Sequence, residues 1–363
     1  MKLGKIFAAL LVCSLMQGCV VEQIVKGTVV DGQPNPETTL PWSENGAYSK
    51  NGRFFIVGGE GMIYFNPSSI YEIVQNEDGT YTNEVLVTGD VNGGHCYFSG
   101  LTSKRNKLYA SCVQMGLVEF PGVPEPMYVP VANKIYIVDL DQPIDSEDYI
   151  TTTLLQTQMF TSNGMAVDRN GDLYISNTTS YLTSIYGLDV PAILKLSFGE
   201  EGSVTETAWL PSAQGGISPN GLQYQFGSLY LASSNKIFKI KIDSEGNAGE
   251  ITTAYETDPA ILIDDFDIKG SVIAAAQIKT IIPEIILSVY PDAVIPEEQI
   301  SKVVVINART GDELGEQSFE GGALPSSVKF GKWPLFEPYS LIVTDAIGTG
   351  GLYQLKLEQE DLR

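Results

Sequence analysis

Hydrophobic and polar residues alternate along most of this chain in short runs. KIYIVDLD at 134–141, AILKLSF at 192–198, KIFKIKID at 236–243 and KVVVINARTGDEL at 302–314 each place every second residue on an apolar face. Gly, Asn and Asp clusters separate such runs, and a period of two bounded by turn residues predicts strands. A longer unit recurs above this period. ENGAYSKNGRFFIVG at 44–58, SGLTSKRNKLYASC at 99–112, NGMAVDRNGDLYISN at 163–177 and NGLQYQFGSLYLASS at 220–234 share one layout: Gly with an apolar residue, a polar or Gly turn, then an aromatic strand. DDFDIKGSVIAAAQ at 264–277 and SSVKFGKWPLFEPYSLIVTD at 326–345 are weaker copies. With Gly46, Gly100, Gly164, Gly221, Phe266 and Val328 as equivalent positions, the unit recurs every 45 to 64 residues. Four short strands per unit of this size predict a β-propeller blade, and six units predict an all-β, six-bladed ring over residues 40–363. The last unit ends after GGLYQLKL without an outer strand, whereas EQIVKGTVV at 22–30, within the N-terminal segment 19–39, is a strand without a unit. It is expected to close the ring. Two packed β-sandwich domains are the alternative; a TIM barrel is disfavoured because amphipathic helices between strands are missing, and AAAQIKTIIPEIILSVY is broken by Pro283.

Composition narrows the function. Hydrophobic residues make up 43% of the 363, which excludes a disordered chain. A net charge of −22 excludes nucleic acid as partner and favours cations, because phosphate binding depends on Lys and Arg. Lys2 and Lys5 precede the apolar run IFAALLVCSLM, the layout of a secretory signal and too short to span a bilayer. The run ends in MQGC, which resembles the bacterial lipoprotein processing box, with Met16 where Leu is preferred. Residues 1–18 are then a lipoprotein-type signal peptide and Cys19 becomes the lipidated terminus of a protein at the periplasm or cell envelope, anchored to membrane. An ordinary signal peptide and an uncleaved anchor are the alternatives. Cys96 and Cys112 remain in an oxidising compartment. They flank a hairpin with SKRN at its turn; with Lys104 and Arg105 at the turn centre, Tyr97 faces Cys112, and a one-residue bulge brings the sulfurs together as a disulfide. Two separate thiols are the rival, and zinc is not expected without a second Cys pair or a His cluster.

In a propeller the innermost strand of each blade starts at one mouth of the central channel. The residues just before the shared Gly therefore converge there: Glu44 or Asn45, Ser99, Asn163, Asn220, Asp265 and Ser327. Carboxylates with amides form a hard oxygen site, suited to calcium. The competing account of Asn163 and Asn220 is a turn role for Asn-Gly, and that of Glu44 an exposed loop carboxylate. DRNGD at 168–172 lacks the distal Glu of a calcium loop and is expected to be a hairpin turn.

NGMAVDRNGDLYISN, SPNGLQY, IDDFDI, PSSVKFG and LIVTDAIGTGGLY make residues 40–356 resemble the family of regucalcin and gluconolactonase, six-bladed propellers, with the paraoxonases more distant. The resemblance implies a divalent metal, usually calcium, at the channel mouth, and assigns its ligands to Glu44, Asn163, Asn220 and Asp265. WSENGAY departs from the family's Glu-Gly/Ser-Pro pattern, and Asp264 can replace Asp265 because the register of this blade is ambiguous. It further implies a metal that polarises a lactone or ester carbonyl while a carboxylate, Asp265, activates water. His95, the single histidine, is a candidate for proton transfer, although it lies four residues before Ser99; the alternative is a loop histidine beside the disulfide. No GxSxG elbow is present. The expected function is a calcium-type lactonase or esterase acting on a small molecule; the rival is a non-catalytic exported propeller that binds a ligand or protein partner. Three long segments, 118–133, 177–191 and 279–299, are rich in apolar residues and fall at the mouth. They are expected to pack as a cap, to wall a pocket for a hydrophobic ligand, or to touch a membrane.

Overall fold

The computed structural model describes residues 21–26, 29–30, 33–34, 42–59, 68–89, 96–118, 127–157, 161–178, 190–211, 219–279, 301–319, 324–345 and 351–357. Among these, strands form six four-stranded antiparallel sheets and one two-stranded ribbon, with no α-helix. Each sheet is a blade, so the expected six-bladed propeller is the fold. Blade one shows the plan: Trp42–Tyr48 innermost, then Phe54–Gly59, Ser68–Gln75 and Tyr81–Val87 outermost. The inner strands of blades two to six are Tyr97–Lys104, Ser162–Val167, Pro219–Gln225, Leu262–Lys269 and Pro325–Phe330. Each leaves the channel mouth and turns back at the far face.

Blade six borrows its fourth strand from the N-terminus. Val21–Lys26 pairs antiparallel with Gly351–Lys356, from Val21 opposite Leu355 to Lys26 opposite Gly351. The ring therefore closes as expected, with one adjustment: Val29–Val30 turn away and pair with Gln33–Pro34 in the ribbon.

The core explains why the second strand of a blade reads as an almost continuous apolar run. Successive strand residues point to opposite faces. In Phe54–Gly59, Phe55 and Val57 enter the cluster shared with blade two, while Phe54 and Ile56 enter the one shared with blade six. Both faces are covered, so both must be apolar. Six such clusters fill the six interfaces between neighbouring blades. Fully burying one such side chain is worth about 1.5–3 kcal/mol.

Cys96 and Cys112 are joined, with Cα atoms 5.0 Å apart. The register differs by one residue from the sequence expectation. Lys104 pairs with Lys107, so Arg105 and Asn106 form the turn, and Phe98 rather than Tyr97 faces Cys112. Arg105 takes the left-handed conformation, φ 58°, that this tight turn demands. Blade two also extends its middle strands to Val118 and Met127, which pair with each other. Residues 127–133, expected to be loop, are therefore strand, and an arm projects past the mouth. Residues 119–126, 179–189 and 280–300, most of the three apolar segments, lie outside the described residues, as do the signal segment, Cys19 and His95.

Candidate functional site

Every inner strand breaks register where it leaves the mouth. In blades one, three, four and five, two inner residues stand against one on the neighbouring strand, which is a β-bulge. The bulged pairs are Glu44-Asn45, Asn163-Gly164, Asn220-Gly221 and Asp264-Asp265. Blades two and six slip by one residue, at Ser99 and Ser326. A bulge re-aims side chains out of the ladder, here toward the channel. It also makes Glu44, Asn163, Asn220 and Asp264 equivalent, not Asp265, and it puts Ser326 rather than Ser327 at the sixth position.

Neighbouring bulges touch, which dictates the glycines. A Cβ on Gly164 would strike the Asn220 carbonyl oxygen, and one on Gly221 would strike the Asp265 carboxylate and Cα. The amide that a bulge frees needs a new acceptor, since an unpaired buried N–H is costly. Gly100 N–H donates to Ser111 Oγ at 2.9 Å and Gly164 N–H to Ser176 Oγ at 2.8 Å. Ser176 in turn donates to the Asn220 carbonyl at 2.5 Å, tying blade three to blade four. These serines escape a motif search; their signal is a hydroxyl recurring within the apolar strands LYASC and LYISN.

The side chains at the mouth fall into two groups. Asn45 donates to the Ser99 carbonyl at 2.9 Å and, at 3.5 Å, to Asn163 Oδ1. Asn220 Nδ2 donates to Asp264 Oδ1. Tyr97 donates to the Glu44 carboxylate. These bonds leave Glu44 Oε2 and Asn220 Oδ1 buried with no hydrogen-bond partner. Asp265 belongs to the other group: Lys329 Nζ meets its Oδ2 at 2.7 Å and Ser327 Oγ at 2.5 Å. Lys329 and Asp265 are both buried, so this is an internal ion pair. Nearby, Asp267 accepts from the Phe330 and Ile268 amides, each at 2.9 Å.

Electrostatics separate Glu44 and Asp264 from ordinary carboxylates. Burial, then the charge of Asp264, push Glu44 from 4.5 up to about 8, against the Tyr97 hydrogen bond. Burial, then the charge of Asp265, push Asp264 from 3.8 up to about 7, against the bond from Asn220. Two carboxylates are thus held together at a cost that a cation between them would remove.

The structure therefore brings together Glu44, Asn163 and Asn220 of the expected set, with Asp264 beside them, and turns Asp265 toward blade six. Sequence inspection missed Tyr97 and Lys329 as site residues, and had Asn45 only as the alternative to Glu44. Among the described residues no group of three or more His, Cys, Asp or Glu side chains is arranged to hold a metal. A cation here would depend on two carboxylates and on amide oxygens, a donor set of the hard type. The orphaned oxygens of Glu44 and Asn220 fit it.

No protein-family model matches the chain, and no curated protein matches its sequence. Its structure is similar to that of a candidate gluconolactonase, with TM-score 0.55 and 14% identity over 94% of this chain and 95% of that one. It is also similar to a candidate 6-phosphogluconolactonase from Bacteroides uniformis, with TM-score 0.50 and 12% identity over 86% of this chain and 80% of that one. At these identities the likeness establishes the shared propeller fold.

Proposed function

We propose that the channel mouth binds a divalent cation of calcium type and hydrolyses a lactone or ester there. The observation that carries this reading is the pair of buried acceptors without partners, Glu44 Oε2 and Asn220 Oδ1, beside a second carboxylate at Asp264. Burying such groups unpaired costs free energy, and a bound ion is one way to satisfy them. What sets these two apart from other unpaired buried atoms of the fold is that they lie beside a second carboxylate. Glu44, Asn163, Asn220 and Asp264 would hold the cation. When bound, it would supply Lewis acidity that polarises the substrate carbonyl.

The chain's own residues supply the rest. Asn45 fixes Asn163, and Tyr97 fixes Glu44, so the acceptors are oriented before a ligand arrives. Glu44 or Asp264, through an oxygen that the cation leaves free, would take a proton from water at the mouth. Asp265, the sequence candidate for that role, has Lys329 as its counter-ion and acts as a support. His95 enters the proposal only as an expectation from its sequence position. A hydrophobic small molecule is the proposed substrate class, on the apolar composition of the segments at the mouth. Export and lipidation at Cys19 belong to the same proposal.

The test is turnover of a panel of aryl esters and lactones with calcium and after chelation. Turnover that chelation abolishes and Asp264→Asn lowers at least tenfold is expected. Calcium binding at the mouth with no turnover by any substrate would sink the hydrolase, and chelator-insensitive turnover would sink the metal.

A further inference from the structure

The far face of the ring, opposite the candidate site, differs from the rest of this acidic surface. Eight large apolar side chains are exposed among the described residues, and the three aromatic ones are all on this face. They are Phe226, 87% exposed, in the inner hairpin turn of blade four, with Trp333 and Tyr339, 64% and 41%, in that of blade six. Ile144, 74% exposed, lies on the same side in an outer turn of blade two. Phe226 adopts φ 47°, a conformation unfavourable for a bulky residue, so a protruding Phe is not what the turn alone would select.

Charge follows the same geometry. The inner hairpin turns of the other five blades each present an exposed cation: Lys50, Arg105, Arg169, Lys269 and Lys332. Glu337 is an exposed carboxylate among them, and the outer turns carry acids such as Asp78, Asp141 and Asp243. The face is basic at its hub and acidic at its rim, so charge alone would not draw it to an anionic surface from a distance.

The path of the N-terminal strand provides an independent argument. Val21 pairs with Leu355, and Gly351, at the other end of that partner strand, lies at the mouth. Val21 is therefore at the far-face end. Cys19 precedes it by two residues, a reach of at most about 7 Å of chain. The mouth is farther off by the length of a six-residue strand, roughly 20 Å. A lipid on Cys19 draws the far face, not the mouth, to the bilayer.

We infer that the far face rests on an anionic phospholipid bilayer, with Phe226, Trp333 and Tyr339 at headgroup level and the candidate site turned to water. Trp333 and Tyr339 have the polar edge that favours that depth, Phe226 adds apolar area beside them, and the basic hub meets phosphate groups at contact, within a Debye length. The inference rests on lipidation at Cys19. An anchor so placed favours the far face over the three apolar segments as the membrane contact.

Tryptophan emission reports the contact. Lipidated full-length protein is reconstituted into phosphatidylethanolamine and phosphatidylglycerol vesicles with brominated acyl chains, and acylation of Cys19 is read by mass. The chain has three tryptophans, so quenching of up to about a third of the emission is expected, and Trp333→Phe should remove it. Lys50→Glu/Arg105→Glu/Arg169→Glu should reduce quenching on these vesicles and leave it unchanged on zwitterionic ones. Acylated, vesicle-bound protein whose emission is unquenched, or is quenched equally in Trp333→Phe, overturns the orientation. Absence of the acyl group overturns the anchor, and the orientation with it.

Discussion

Asp264 and Asp265 share one bulge and belong to two different regions of the channel. On the side of blades five and six, Asp265 has an ion pair with Lys329 and a hydroxyl from Ser327, and Asp267, which burial raises, is offset in part by the Lys329 charge and by two amides it accepts. Across blades one, three, four and five, Glu44 and Asp264 have one donor each and no cation, and each is raised by a neighbouring carboxylate, Glu44 by Asp264 and Asp264 by Asp265. Both regions bury carboxylates. A network that satisfies its own charges is structure, whereas one that leaves acceptors open and like charges together is built for something it does not itself contain.

The sharpest way to break this comparison is to remove the cation that distinguishes the regions. Lys329→Met leaves Asp265 buried without a counter-charge, a loss of about 3–5 kcal/mol. Denaturant unfolding should show a lower midpoint, and Asp265→Asn added to the same chain should recover much of the loss. A Lys329→Met protein within about 1 kcal/mol of wild type would mean that Asp265 is no better satisfied than Asp264.

A smaller effect is expected at the open region. A cation that binds only the folded state stabilises it by about 2.7 kcal/mol at a hundred times its dissociation constant. Calcium should raise the melting temperature of wild type and of the chain with Ser326→Ala, which changes a bulge residue outside the ligand set. It should not raise that of Glu44→Gln or Asp264→Asn. In chelator Asp264→Asn should melt no lower than wild type, because it removes a like charge and keeps a group able to bond Asn220. An equal calcium response in all four proteins would erase the distinction between the two regions.

The distinction was only half legible in the sequence. The recurring Gly-apolar unit was enough for six blades, and the missing last strand for ring closure, because both follow from strand period and from the need to cover every edge. The choice between Asp264 and Asp265 was not. A two-for-one bulge shifts the register by one residue and is invisible to a period of two. In blades three and four a Gly marks the second bulge residue, since the next blade's backbone lies against it. Blade five has Asp265 at that place, directed to Ser327 and Lys329, and so lacks the marker. Lys329 itself is 64 residues from its partner, beyond the reach of any local pattern. The disulfide was found with its register wrong for a similar reason: the turn at Arg105 and Asn106 moved the partner of Cys112 two residues along, and the bulge at Ser99 took one of them back.

The smallest effect tests the open region without a metal. Glu44 and Asp264 bind protons more tightly in the folded chain than in the unfolded one, since their values rise from 4.5 to about 8 and from 3.8 to about 7. From about pH 4 to pH 8 the folded state therefore holds more protons, and stability must fall as pH rises through that window. The stabilisation is fully present below the lower values and gone above the upper ones. After screening at a half-buried mouth the change amounts to on the order of 1–2 kcal/mol. In chelator the melting temperature should decline from pH 5 to pH 8, and Glu44→Gln should flatten that decline. Saturating calcium should flatten it in wild type as well, because the cation then takes over the compensation that protons provide. Asp267, which burial also raises, leaves a residual decline of its own. A chelated protein with no decline, or one whose decline is undiminished by Glu44→Gln together with Asp264→Asn, would show that the titrating groups lie elsewhere and that the mouth is as well satisfied as the Lys329 side.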